Sequence, residues 1–353
     1  MKTTLALAAL AMLTSSASAA DRIVEQRPVA AFSSIDVSGP YRVVVHAKGT
    51  PGLRLEGEAA TLARIETTLR GDTLVVRTQP RDRSWFSFGS ERSEVLITIT
   101  AAALQHVKAS GSGDVAVDLL EGADVELANS GPGDLRASGA VGTLRLRSSG
   151  SGDVDLRALA SRSLDVAMSG PGDVTLGAVD GELAASVSGS GDLAAHDLKL
   201  VRATVRQNGP GDVRLDGAAR DLQVVLSGSG DLKACNLAVD TVNLVQSGPG
   251  DACVGGQIRE FAAELRGSGD LTAGTLQARH ARLVISGPGS AKIGGTVAQL
   301  EAVVRGSGNL DGKRLLAASA EVNATGPGEA ALMLGSERDS LLTTWSRRGM
   351  NQR

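Results

Sequence analysis

Nine aspartates recur along this chain at a nearly fixed interval: Asp114, Asp134, Asp153, Asp173, Asp192, Asp212, Asp231, Asp251 and Asp270. Ser290, Asn309 and Glu329 continue the same register, and the steps alternate between 20 and 19 residues. Carboxylates repeated in this way can do two kinds of chemistry. Stacked one per turn, they form a column of oxygens of the sort a calcium ion needs, since calcium takes six to eight. Alternatively, each accepts backbone N–H bonds from its own bend, a structural task. Unit charges about 5 Å apart repel by about 0.8 kcal/mol in water and about 3 kcal/mol at an effective dielectric of 20. An exposed column bears that without a counter-ion, so the reading adopted is a structural bend residue with no metal and no other cofactor. Ser290 and Asn309 can do the same job, Glu329 less comfortably.

Other reactive side chains are few. His46, His106, His196 and His280 are scattered, and none adjoins an irregular carboxylate cluster in the array, so no catalytic residue is nominated. Cys235 lies four residues past its motif aspartate and Cys253 two past the next, which gives both the same outward parity in consecutive turns. With strands about 4.8 Å apart and about 3.3 Å of advance per residue, their Cα atoms come out about 8 Å apart, beyond the usual disulfide limit of about 7 Å. A disulfide and two separate surface thiols both stay open. Trp85, Phe86 and Phe88 cluster in a loop, as a contact platform for a sugar ring or protein or as a plug that packs locally.

The elements that position these groups follow from the repeat. Each motif aspartate is preceded by Gly-Ser-Gly or Gly-Pro-Gly in alternation, as in Gly111-Ser112-Gly113 and Gly131-Pro132-Gly133. Glycine reaches the positive φ that tight corners often require, and proline is admissible at a corner but poor within a strand. The next residue is always apolar, from Val115 and Leu135 to Leu310 and Ala330, and the pattern then alternates as a strand does. The 20-residue turns add Leu120, Leu159, Leu198, Leu237, Leu276 and Leu315 six residues after the motif. A strict period near twenty predicts stacked parallel coils, a β-solenoid. Twelve motifs at about 4.8 Å each make an array about 55 Å long. Whether one turn or a 39-residue pair makes a full coil is open.

Aromatic residues are 2% of the chain and glycines number 44 of 353, so the interior is expected to be a thin rod of Val, Leu, Ile and Ala. Residues 1–20 read as a secretory leader: Lys2, the apolar run Leu5 to Leu13, and Ala17-Ser18-Ala19 as a cleavage site. Residues 21–109 are an irregular strand-rich beginning, with a degenerate bend at Val37-Ser38-Gly39-Pro40-Tyr41 and a capping helix expected over Ala59 to Leu69. Residues 110–335 are the regular array. Residues 336–353 are a tail in which Ser336 to Arg348 is expected to form a second cap, a short helix at each end being the simplest arrangement.

A net charge of -3, from 36 basic and 39 acidic residues, gives no reason to expect nucleic acid as a partner, and no later stretch is apolar enough for a membrane span. Serial Ser-Gly-Ser-Gly-Asp-Val strings after a beginning that contains Ser38-Gly39-Pro40 resemble the putative auto-transporter adhesin head domain, or GIN domain, family. The likeness covers about residues 30–335. It implies an all-β, right-handed parallel β-helix in an exported bacterial protein, periplasmic or at the cell surface, and brings no catalytic residues. The expected function is a non-enzymatic, adhesin-like scaffold that presents a repetitive face to a glycan, an envelope component or a protein. An architectural role in the cell envelope is the alternative, and a polysaccharide-acting enzyme on the same frame a lesser one.

Overall fold

The computed structural model describes residues 22–79, 95–335 and 341–345. The leader at 1–20 and the cluster of Trp85, Phe86 and Phe88 lie outside the described residues. Stacked parallel coils form a β-solenoid of about eleven turns. Each motif interval is one full coil: Val115–Asn129 pairs in parallel with Leu135–Ser148, and that strand in turn with Val154–Met168. The 39-residue unit is therefore two coils that differ at one corner. Ala137 faces Val117 but Gly139 already faces Leu120, so the shorter coil turns this corner with one residue fewer. It does so through glycine at positive φ, as at Gly139 (135°) and Gly217 (131°), a conformation closed to most other residues.

Glycine has a different role in the recurring bends. From Gly111 onward no bend glycine has φ in the left-handed region, contrary to the expectation from sequence. The constraint is contact between coils. A Cβ on Gly150 would overlap the carbonyl oxygen of Gly131, and one on Gly152 that of Gly133. Hydrogen bonds run from the second glycine of nearly every bend to the first glycine of the coil before, as in Gly152 N to Gly131 O at 3.2 Å and Gly172 N to Gly150 O at 3.3 Å. That ladder skips the residue between, so proline, which lacks an N–H, fits there as well as serine.

The interior is columnar. Val115, Leu135, Val154, Val174 and Leu193 stack one above another and are buried, as are the six leucines of the 20-residue turns. Gly312 breaks the next inward column, and the Leu332 side chain of the following coil occupies the space its Cβ would take. Near the start, Val37–Tyr41 is a true first bend: Ser110 N donates to Val37 O at 2.9 Å and Gly113 N to Gly39 O at 3.1 Å. Ser34–Ser38 and Arg42–His46 thus carry the array, through His106–Ala109 and Val115–Asn129.

Both expected caps are corrected. The helix is confined to Ala59–Leu62, while Ile65–Arg70 is a strand antiparallel to Thr73–Thr78. The β-branched Ile65, Thr67 and Thr68 suit a pleated surface better than a helix. Arg27 reaches across to the carbonyls of Leu62 and Ile65 at 3.0 and 2.6 Å. At the far end Leu341–Trp345 is a strand, antiparallel to Ala330–Leu334, and not a helix. Each end of the stack is thus met by antiparallel strands, which pair with the last parallel strand where a helix cannot. Replacing Gly150 with Ala must force two coils apart, and overpacking of this kind costs about 3 kcal/mol. A clear drop in the melting temperature followed by circular dichroism is the expected outcome, and an unchanged melt contradicts the close-approach argument.

Candidate functional site

The column of motif residues is the most regular polar feature of the surface. Asp134 N donates to Asp114 Oδ1 at 3.1 Å, Asp192 N to Asp173 Oδ1 at 2.8 Å, and Asp270 N to Asp251 Oδ1 at 2.7 Å. Every motif side chain from Asp114 to Asn309 accepts in this manner, including Asp153, Asp212 and Asp231. The acceptor thus serves the next coil, where the sequence suggested the bend of the same coil. The column ends in the same currency: Ser290 N reaches Asp270 Oδ1, Asn309 N reaches Ser290 Oγ and Glu329 N reaches Asn309 Oδ1. No described coil follows that needs the Glu329 side chain, which explains why a longer residue is accepted there.

The second carboxylate oxygens face outward, and some are paired. Arg136 lies 3.2 Å from Asp134, and Lys233 is bonded to Asp212. Burial acts to raise the Asp212 pKa, but hydrogen bonds from the Asp231 N–H and from Lys233 outweigh it and hold the carboxyl below its ordinary range. His196 sits 3.2 Å from Asp216, a carboxylate also bound by Arg214 at 2.9 Å and by Asn236 at 3.2 Å. The Arg214 hydrogen bond holds the Asp216 carboxyl below its ordinary range, and the group is an Arg214–Asp216 ion pair with His196 and Asn236 at its side. Among the described residues, no three carboxylates, imidazoles or thiols converge on one point.

Cys235 and Cys253 stand closer than straight-strand geometry allows. Their Cα atoms are 5.2 Å apart and the structure joins them in a disulfide between consecutive coils. The register breaks just here: Ala234 faces Val254, whereas Ala238 faces Gly255. The longer coil carries extra residues around the corner, and the estimate of about 8 Å assumed a strand that ran straight on.

Sequence reasoning missed the buried amides. Asn129 donates to the carbonyls of Gly133 and Gly152, Gln207 to those of Gly209 and Gly211, and Gln246 to that of Gly250. All three stand two residues before the first glycine of a Gly-Pro-Gly bend, in a column otherwise filled by residues such as Met168, Leu226 and Ile285. A polar residue recurring at a single inward position was the signal available in the sequence.

The family model described as putative auto-transporter adhesin, head GIN domain, matches residues 31–197, 179–257 and 255–338. Among solved structures the chain is similar to a putative adhesin from Parabacteroides merdae, with 16% identity, 88% of this chain and 95% of that one covered, and a TM-score of 0.37. It is also similar to a putative lipid binding protein from Parabacteroides distasonis (13% identity, 86% and 96% covered, TM-score 0.39) and to a putative adhesin from Bacteroides fragilis (18%, 82% and 96%, 0.25). No curated protein matches.

Two stability measurements check the ladder and the staple. Asp192→Ala strips the acceptor from Asp212 N–H and should cost about 1 kcal/mol, while Asp192→Asn, which mimics Asn309, should keep most of it. Reducing the disulfide, or replacing Cys253 with Ser, should lower unfolding stability in denaturant by about 3 kcal/mol, as expected for a short cross-linked loop.

Proposed function

Because the chain belongs to the putative auto-transporter adhesin, head GIN domain family, which spans residues 31–338, we propose that it is an exported, non-enzymatic scaffold. It binds an extended ligand, such as a glycan, an envelope component or a protein, along its stacked coils. Residues 1–20 direct its export, to the periplasm or the cell surface. No helix among the described residues is long and apolar enough to cross a membrane.

The observation that carries this reading is the recurrence of outward positions without convergence. Arg136, Asp155, Thr175, Arg214, Lys233 and Lys292 each stand two residues after their motif position in separate coils of one face. Hydrogen-bonding groups on most coils, which stack about 4.8 Å apart, suit a ligand that is itself extended and gains from many weak contacts. An active site needs acid, base and nucleophile brought to one point. Here the motif aspartates cap the next coil, and carboxylates such as Asp155 and Asp216 sit in ion pairs.

One observation favours the architectural reading as a second possibility. Ala320, Val322 and Ala324 are only partly buried, whereas their partners in the coil before, Leu300, Ala302 and Val304, are fully buried. Among the described residues that edge is uncovered, a place for end-to-end assembly. Residues 21–353 applied to an array of bacterial and plant glycans, with light scattering in the same buffer, separate the two. Binding by a monomer is the expected result. Ordered oligomers that bind nothing on the array would favour assembly.

A further inference from the structure

We propose that the corner spanning residues 256–257, 274–277 and 295–296 is a binding groove for a neutral polysaccharide. The proposal deepens the scaffold reading and rests on it. A shallow groove crosses successive coils here, lined by Gln257, Thr275, Gln277 and Thr296 over a floor of glycine backbone and Ala238, with the Leu276 side chain buried beneath.

Three observations single out the place. First, Gly274 is not required by packing. A Cβ there would meet nothing within 4 Å, whereas the bend glycines of the array would each drive one into the backbone of the preceding coil. Its missing side chain leaves the floor open. Second, the coil beneath is interrupted: Ala252–Gly255 and Ile258–Leu265 are separate strands, with Gly256 at φ 97°, the counterpart of Gly139 and Gly217, and the exposed Gln257 between them. The array has one other such interruption, at Gly177 and Ala178; in both the glycines lie against the preceding coil, Gly177 at the Arg157 carbonyl and Gly255 at the Cys235 carbonyl, but only here does the next coil carry a glycine, Gly274, where the other has His196. A break in an otherwise strict repeat is where function is expected to override regularity. Third, the coils on either side fill the same corner, with Cys235 and Asn236 below and Lys313 and Arg314 above, so the groove has two ends.

The lining selects the ligand. No residue of the groove is ionisable, in contrast with the ion-paired faces elsewhere. Amide and hydroxyl groups both donate and accept, as sugar hydroxyls do, and the Ala238 methyl and glycine Cα groups of the floor can meet the C–H face of a sugar ring. Thr275 Oγ1 donates to Gly256 O at 2.6 Å, which ties the broken coil to its neighbour and holds the wall in place. The strands on either side of the corner are paired above and below, which leaves no free edge beside the groove for a protein strand. The groove runs along the solenoid axis and lacks an aromatic platform, so single sugars bind weakly and a polymer chain gains by spanning coils.

The test uses residues 21–353 in affinity electrophoresis and calorimetry with dextran, laminarin and yeast mannan as neutral probes and alginate and polygalacturonate as acidic ones. At least one neutral polymer should bind, with an affinity that does not change between low and high salt. Gly274→Tyr, which fills the groove, and the pair Gln257→Ala with Gln277→Ala should each weaken it tenfold or more without lowering the melting temperature. Ala160→Tyr, exposed on an unrelated coil, should bind as the parent does. Neutral binding that survives Gly274→Tyr overturns the groove while leaving the scaffold reading intact. So does salt-sensitive binding of the acidic polymers alone, or a protein partner captured with no polysaccharide bound. A chain that binds neither any polymer nor any envelope protein defeats both.

Discussion

The separation between successive bends, set by the hydrogen-bonding distance of parallel strands, leaves no room for a Cβ at two positions per coil. Everything else in the array follows from that contact. Gly150 lies against the carbonyl of Gly131 as Gly170 lies against that of Gly150, and the same relation recurs through Gly328 and Gly308. Glycine is therefore a steric requirement of the stack and only secondarily a matter of backbone freedom. The residue between the glycines faces solvent and gives no N–H to the ladder, which is why serine and proline exchange there freely.

Close stacking concentrates polar backbone groups at one edge, and the chain satisfies them from two sides. Outside, each motif side chain caps the N–H of the coil that follows, and any short acceptor will do: Asp, Ser or Asn. Inside, Asn129, Gln207 and Gln246 feed donors to glycine carbonyls ahead of the proline bends. Buried backbone groups need such partners, so each aspartate of the column gives one carboxylate oxygen to holding coils together. Its repulsion is eased at points by cations such as Arg136 and Lys233.

A scaffold built this way makes departures from the rule informative. Gly312 has a packing explanation in Leu332, and Gly177 has one in the Arg157 carbonyl. Gly274 has none, and it sits beside an interrupted coil and a groove without charge. The disulfide between Cys235 and Cys253 closes the coil directly before that interruption, so the least regular stretch of the array is also the one with a covalent staple.

The period, the inward columns, the first bend at Val37–Tyr41 and the family were all legible in the chain itself, because a strict repeat makes every coil report on its neighbours. Local pattern also sufficed for the aliphatic interior: alternation specifies which side chains face in whatever the exact path of the corners. What depended on tertiary structure were the relations between coils. The aspartates bond to the next bend and not their own, the bend glycines answer to a neighbour's carbonyl, and the cysteines meet because a register shift at one corner shortens the path between them. The ends misled for the same reason. Ile65, Leu69 and Leu341 keep a spacing that a helix could use, but an unpaired parallel edge lies beside them, and its open hydrogen bonds are satisfied by a strand, which no sequence window of this length can weigh.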